Sequence, residues 1–169
     1  MDKTLFVTKE ITEVSTTDLE GVGATRWVGE KCYRWVQNKH TAVTGIGSVV
    51  FHLYTNGADF LKKVYDGATA QLGALAGVAV SVIAVDGYGW IQVDGIAEAV
   101  SVYQSTGAAA IVAGDKLIGV DAKLYGIRSV AMGTASTHER FVEALGTLAS
   151  NSGTGTAVVT TTIRGFVRT

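Results

Sequence analysis

With 169 residues the chain is long enough to bury a core of its own, and its single cysteine, Cys32, excludes an intramolecular disulfide and a zinc site built on paired thiolates. A net charge of −1, with 17% charged and 47% hydrophobic residues, excludes a disordered chain and leaves no electrostatic footprint for nucleic acid or an anionic membrane. The surface is expected to be rich in Thr, Ser, Gly and Ala, so that copies of the chain have little charge to hold them apart.

In chain order, residues 3–14 place Leu5, Val7 and Val14 among Thr, Lys and Glu, which predicts a first strand or an extended arm that ends at Ser15-Thr16-Thr17-Asp18. The start carries no long apolar segment of the signal-peptide kind, and the longest apolar run, residues 72–85, is interrupted by Gly and Ser. That run is too short to cross a bilayer of about 30 Å as a helix, so a soluble, non-secreted product is expected. Residues 25–37, with Trp27, Val28, Cys32, Tyr33, Trp35 and Val36, and residues 48–54 each predict a strand, the second followed by the turn signal Asn56-Gly57. Phe60, Leu61, Val64 and Tyr65 fit either a strand or a turn or two of helix.

Residues 76–93 organise the rest. Two runs rich in Val and Ile flank Asp86-Gly87, the signal of a β-hairpin, and Tyr88, Trp90, Ile91 and Val93 favour a strand; Asp94-Gly95 is a second turn signal. Short segments bounded by Gly follow at 96–104, 108–112, 116–120 and 126–132, with a turn at Gly114-Asp115. Residues 140–148 are ambiguous between helix and strand, and residues 157–168 read as a strand that closes the sheet in a final hairpin. The predicted fold is mainly β: a small antiparallel barrel or sandwich with an extended N-terminal segment, residues 1–24 as arm or first strand and residues 25–169 as one domain. The chain has no Pro to blunt sheet edges, so edges are either paired within an oligomer or guarded by charge and bulges.

Gly77-Val78-Ala79, the stretch Gly87-Tyr88-Gly89-Trp90-Ile91-Gln92-Val93-Asp94-Gly95, Ala113-Gly114-Asp115-Lys116-Leu117 and Phe141-Val142-Glu143-Ala144-Leu145 with the last strand 160–168 carry a resemblance, in their order more than in any one motif. Over residues 76–169 the chain resembles the small β-rich proteins that decorate or cement the capsids of tailed phages, and related phage structural proteins. The resemblance implies a non-enzymatic virion protein, made in the host cytoplasm and placed on the outer capsid surface, that bridges neighbouring major capsid protein subunits. It further implies self-association, trimers ahead of dimers, and no cofactor. In such a protein an N-terminal arm can add a strand to a capsid edge, here through Thr4, Leu5, Phe6, Val7 and Ile11; the alternative is an ordinary first strand of the domain's own sheet. Other expectations of the same composition are a tail-tube or head-fibre-base subunit, or a glycan-binding β-module.

Catalytic and metal chemistry finds no constellation in the sequence. His40, His52 and His138 are scattered, and a Ser/His/Asp triad could be assembled only by free choice. Gly21-Val22-Gly23, Gly45-Ile46-Gly47 and Gly153-Thr154-Gly155 lack the third Gly and the Lys of phosphate loops and read as turns, and Asp86, Asp94, Asp115 and Asp121 read as turn residues bonding their own backbone. Trp27, Tyr33, Trp35, Phe51, Tyr54, Phe60 and Tyr65 form either core or a platform for carbohydrate or a partner, with Tyr33 and Trp35 on one strand face.

Overall fold

A computed structural model of the chain describes residues 9–39, 44–52, 63–65, 75–104, 110–114, 116–119, 127–129, 141–145 and 159–168. Among these residues there is no helix, and the fold is mainly β, as the short Gly-bounded segments predict. The strands are β1 (Val14–Ser15), β2 (Thr25–Val28), β3 (Lys31–Asn38), β4 (Val49–His52), β5 (Lys63–Tyr65), β6 (Leu75–Ala79), β7 (Tyr88–Gln104), β8 (Lys116–Gly119), β9 (Ile127–Ser129), β10 (Phe141–Ala144) and β11 (Val159–Arg168). They form one sheet in the order β11-β10-β8-β9-β7-β6-β4-β5-β3-β2, with β1 on β7 and further pairings β11–β7 and β7–β3. The two further pairings bring β11 and β3 back onto β7, and the sheet does not close into a single barrel.

The spine is β7. Its first half lies between β3 on one edge and β1 and β6 on the other; its second half pairs with β11 and, at Val102, with β9. The expected hairpin is present as β6 and β7, paired Val78↔Gln92 and Ala79↔Ile91, but its connection spans residues 80–87 rather than two residues. Asp86, at φ 59°, makes the turn. Asp94-Gly95 is not a turn as expected: β7 runs through it, and the register against β3 skips Val93 between Tyr33↔Gln92 and Cys32↔Asp94. A second skip lies between Val100 and Ala97 opposite β11. Each bulge advances the strand by one residue and flips the alternation of faces.

These flips allow one strand to feed three cores. Trp90 packs with Tyr33 and Trp35. Ile91 and Val93 join Cys32, Val36, Val50, Val64, Ala76, Ala79 and Ile83. Ala97, Val100 and Val102 join Val49, Phe51, Leu75, Val78, Ile111, Ala144 and Val167, and the three-residue step from Ala97 to Val100 on one face is the second bulge at work. In β4 and β6, successive residues go to opposite cores, Val49 and Phe51 to one and Val50 to the other, so both faces of these strands are buried.

Residues 25–37, expected as one strand, are a hairpin split at Gly29-Glu30, because Gly29 takes φ 59° there. The predicted first strand over 3–14 is not formed in its described part: the Glu13 N–H donates to the Glu10 carbonyl in a turn, and only Val14 and Ser15 pair with β7. Residues 141–144, open between helix and strand, are β10, and β10 with β11 supplies the closing hairpin. Residues 63–65, also open, are β5; Phe60 and Leu61 lie outside the described residues.

The long connection 80–87 is held by Asn38 at the end of β3. Its fully buried side-chain amide donates to the Ile83 and Ala84 carbonyls at 3.0 and 3.3 Å, and the Asn38 main-chain carbonyl accepts from the Asp86 N–H at 2.8 Å. Asn38→Leu removes the amide donor from both carbonyls, leaving each with a single backbone partner, the Thr44 and Gly87 N–H groups, and forces a bulkier apolar side chain into a closed site. A loss of about 1–3 kcal/mol is expected by denaturant titration, with faster amide exchange confined to residues 83–87.

Candidate interaction surface

The two tryptophans of the first hairpin have opposite fates. Trp35 is fully buried: its indole N–H donates to Asp18 at 2.9 Å, and its ring meets Trp90 edge-on at 5.3 Å and stacks with Tyr88 at 6.5 Å. Trp27, in β2 opposite Cys32, is 63% exposed, and Val28 beside it is also exposed. The difference is one of position. β3 is covered on both faces, whereas β2 ends the strand order and stops at a two-residue turn.

Residues 9–24 cover the aromatic cluster. Asp18 accepts from the Gly21 and Val22 N–H groups at 2.9 Å, and Gly21 and Gly23 sit at φ 82° and 96°, so Gly21-Val22-Gly23 is the turn its sequence predicts. Arg26 gathers the layers: its guanidinium lies 4.6 Å over the Trp90 ring, donates to the Lys9 carbonyl and pairs with Glu20 at 3.2 Å. Ile11, Val22 and Ala24 pack on the same cluster. Of the residues named for a capsid-binding arm, Ile11 therefore touches the domain's own core, while Thr4, Leu5, Phe6 and Val7 lie outside the described residues.

A second exposed apolar group lies at one end of the sheet. Ile46, Val82 and Val85 project from two connections tied together by the Thr44 N–H on the Ile83 carbonyl, the Ile83 N–H on the Thr44 hydroxyl and the Gly47 N–H on the Ala79 carbonyl. β1, with Val14 exposed, borders the same connection from the other side, where Val14 pairs with Gly89. Lys39 and Asp86 form an ion pair at this end.

Phe51 and Tyr33 are core residues; Tyr54 and Phe60 lie outside the described residues, and of Tyr65 only its place in β5 is described. His52 is buried in β4, and His40 and His138 lie outside the described residues, as do Asp115, Asp121 and Gly153-Thr154-Gly155. Asp94 bonds its own backbone as expected, accepting from the Gly95 N–H at 2.7 Å. Among the described residues no three His, Cys, Asp or Glu side chains stand close enough to hold a metal ion.

Burial pushes the Cys32 thiol above its ordinary pKa, opposed by Arg34 and reinforced by Asp94, and burial raises the Tyr33 phenol too. Both groups hold their protons more tightly folded than unfolded, so their contribution to stability is complete at neutral pH and is lost as pH climbs through the thiol and then the phenol range. Iodoacetamide at pH 8 is expected to label the native protein far more slowly than the urea-unfolded chain; equal rates would contradict the burial of Cys32.

Exposure of Trp27 was the feature least visible in the sequence, since Trp27 and Trp35 sit in similar company; the neighbouring Gly29 was the only signal of an edge. No protein-family model, curated protein or solved structure matches the chain.

Proposed function

We propose that this chain is a phage virion structural protein that decorates and cements the capsid by bridging neighbouring major capsid protein subunits, acting as a homo-oligomer through surface complementarity rather than chemistry. The observation that carries the reading is the pair of exposed apolar groups, Trp27 with Val28 and Ile46 with Val82 and Val85, set on a frame buried on both faces of its central strands. Scattered exposed apolar side chains are ordinary; an exposed Trp at a sheet edge is the residue type that anchors interfaces. The residues that carry the resemblance act in this reading as framework, since Trp90, Ile91 and Val93 are core and Gly95 is tightly packed. Contact with capsid falls to the loops and the edge, and several weak contacts to an ordered lattice become strong together because each after the first is intramolecular.

The test is co-sedimentation of the purified protein with matched capsids that lack it. Saturable binding at a fixed copy number per capsid, with a gain in heat resistance of the particle, is the expected result. Binding only to tails would move the protein to the tail-tube or head-fibre-base role, and no binding would end the virion reading. The exposure of Trp27 also favours a second reading, a glycan-binding β-module, for which sugars would quench Trp27 fluorescence in wild type and not in Trp27→Ala.

A further inference from the structure

The hydrogen-bonding phase of β2 can be read from its neighbours. The Trp35 N–H donates to the Ala24 carbonyl at 2.8 Å, and Arg26 and Val28 lie opposite Tyr33 and Lys31. The Ala24 carbonyl and the backbone groups of residues 26 and 28 therefore face β3, the Ala24 N–H donating instead to the Gly21 carbonyl, and antiparallel alternation sends the N–H and C=O of Thr25 and Trp27 outward. Among the described residues β2 pairs with β3 alone. Natural edges are guarded by Lys, Pro or a bulge along the strand. Here the chain has no Pro, β2 has no Lys, and the positive-φ glycine of this edge, Gly23, precedes the strand.

We propose that the outward edge of β2 pairs antiparallel with β2 of a second copy of this chain about a two-fold axis. Thr25 and Trp27 each offer one donor and one acceptor, and a strand that meets itself antiparallel supplies the complement to both without a further partner. Charge favours this occupant. Arg26 is the one charged residue of β2 and is already paired with Glu20 and seated on Trp90, so two copies meet without an uncompensated charge, and a net charge of −1 per chain adds little repulsion. Trp27 and Val28 supply the apolar contact, exposed at the very edge to be joined. The same symmetry closes the assembly at two, in place of the trimer implied by the resemblance. A four-residue strand buries less than the roughly 800 Å² per partner of a durable complex, so the dimer is weak and concentration-dependent. The inference concerns the free protein and does not rest on capsid binding.

Sedimentation velocity of the full chain across a concentration series tests it. The expected result is a monomer–dimer equilibrium, weakened at least about tenfold in Trp27→Lys, which guards the edge with charge, and in Thr25→Pro, which removes one outward N–H while leaving the β3 ladder intact. Wild type monomeric throughout, or association of any order untouched by both variants, would overturn the proposal. Amide exchange on wild type keeps the test independent of how the variants fold. Protection of the Thr25 and Trp27 N–H groups that rises with concentration supports two-fold pairing; protection that is independent of concentration means the edge is covered within one chain and overturns it.

Discussion

Gly95→Ala is expected to lower stability by about 3 kcal/mol or more, a shift of about 10 °C in the unfolding midpoint for a chain of this size. Gly95 sits at φ 90°, which costs any residue bearing a Cβ about 1–2 kcal/mol, and the added methyl carbon would stand 2.6 Å from the Glu30 carbonyl oxygen and 3.2 Å from the Lys31 Cα. Both contacts are backbone atoms, one in the β2–β3 turn and one in the first residue of β3, and cannot rotate away. The site is the bend at which β7 passes from its β3 pairing to its β11 pairing, so the strain falls on the strand common to all three cores. Urea titration reads the loss. A midpoint within error of wild type would mean that the turn at Gly29-Glu30 does not pack against β7 as described.

Trp35→Ala should cost about 3–5 kcal/mol, the usual range for a large aromatic removed from a closed core, and Trp27→Ala should stay within about 0.5 kcal/mol of wild type. Trp35 leaves behind a cavity between Trp90 and Tyr88 and takes a donor from Asp18, whose remaining bonds to Gly21 and Val22 hold the turn beneath Arg26. Its loss is therefore expected to loosen residues 9–24 as well as the sheet. Near-ultraviolet circular dichroism supplies a second readout, because the edge-on Trp35–Trp90 pair, the closer of the two ring pairs described, disappears in Trp35→Ala and not in Trp27→Ala. Comparable losses in the two variants would show that Trp27 is not the surface residue its 63% exposure describes, and would remove the anchor from both the capsid and the self-pairing proposals.

Much of the fold was legible because short β-branched runs broken by Gly can do little else: β4, β6, the start of β7, β8, β9 and β11 fall on segments that composition marks as strands, while β10 lies in the segment left open between helix and strand. Whether the strands would close into a single barrel was not legible, and barrel and sandwich stood as two options. Asp94-Gly95 shows why. As a dipeptide it is a turn signal equal to Asp86-Gly87, and nothing local separates them. Asp86-Gly87 turns because Lys39 and Asn38 hold the loop at that end, whereas Asp94-Gly95 bends but carries the strand on because β3 and β11 pair with β7 on either side of it. Gly29 erred in the other direction, one residue being enough to divide a strand.

For this chain, what the sequence by itself determined is the class of the fold, the position of strands such as β4, β8 and β11 among the described residues, and the exclusion of an intramolecular disulfide, all of which follow from residue type and local backbone preference. What only the tertiary structure decided is which residues are surface. Trp27 and Trp35 have the same chemistry and nearly the same neighbours, yet one is core and the other an edge, because burial depends on how many layers the rest of the chain lays over a strand. The bulges that let β7 serve three cores were decided the same way, by partner strands distant in sequence that set where the alternation slips by one.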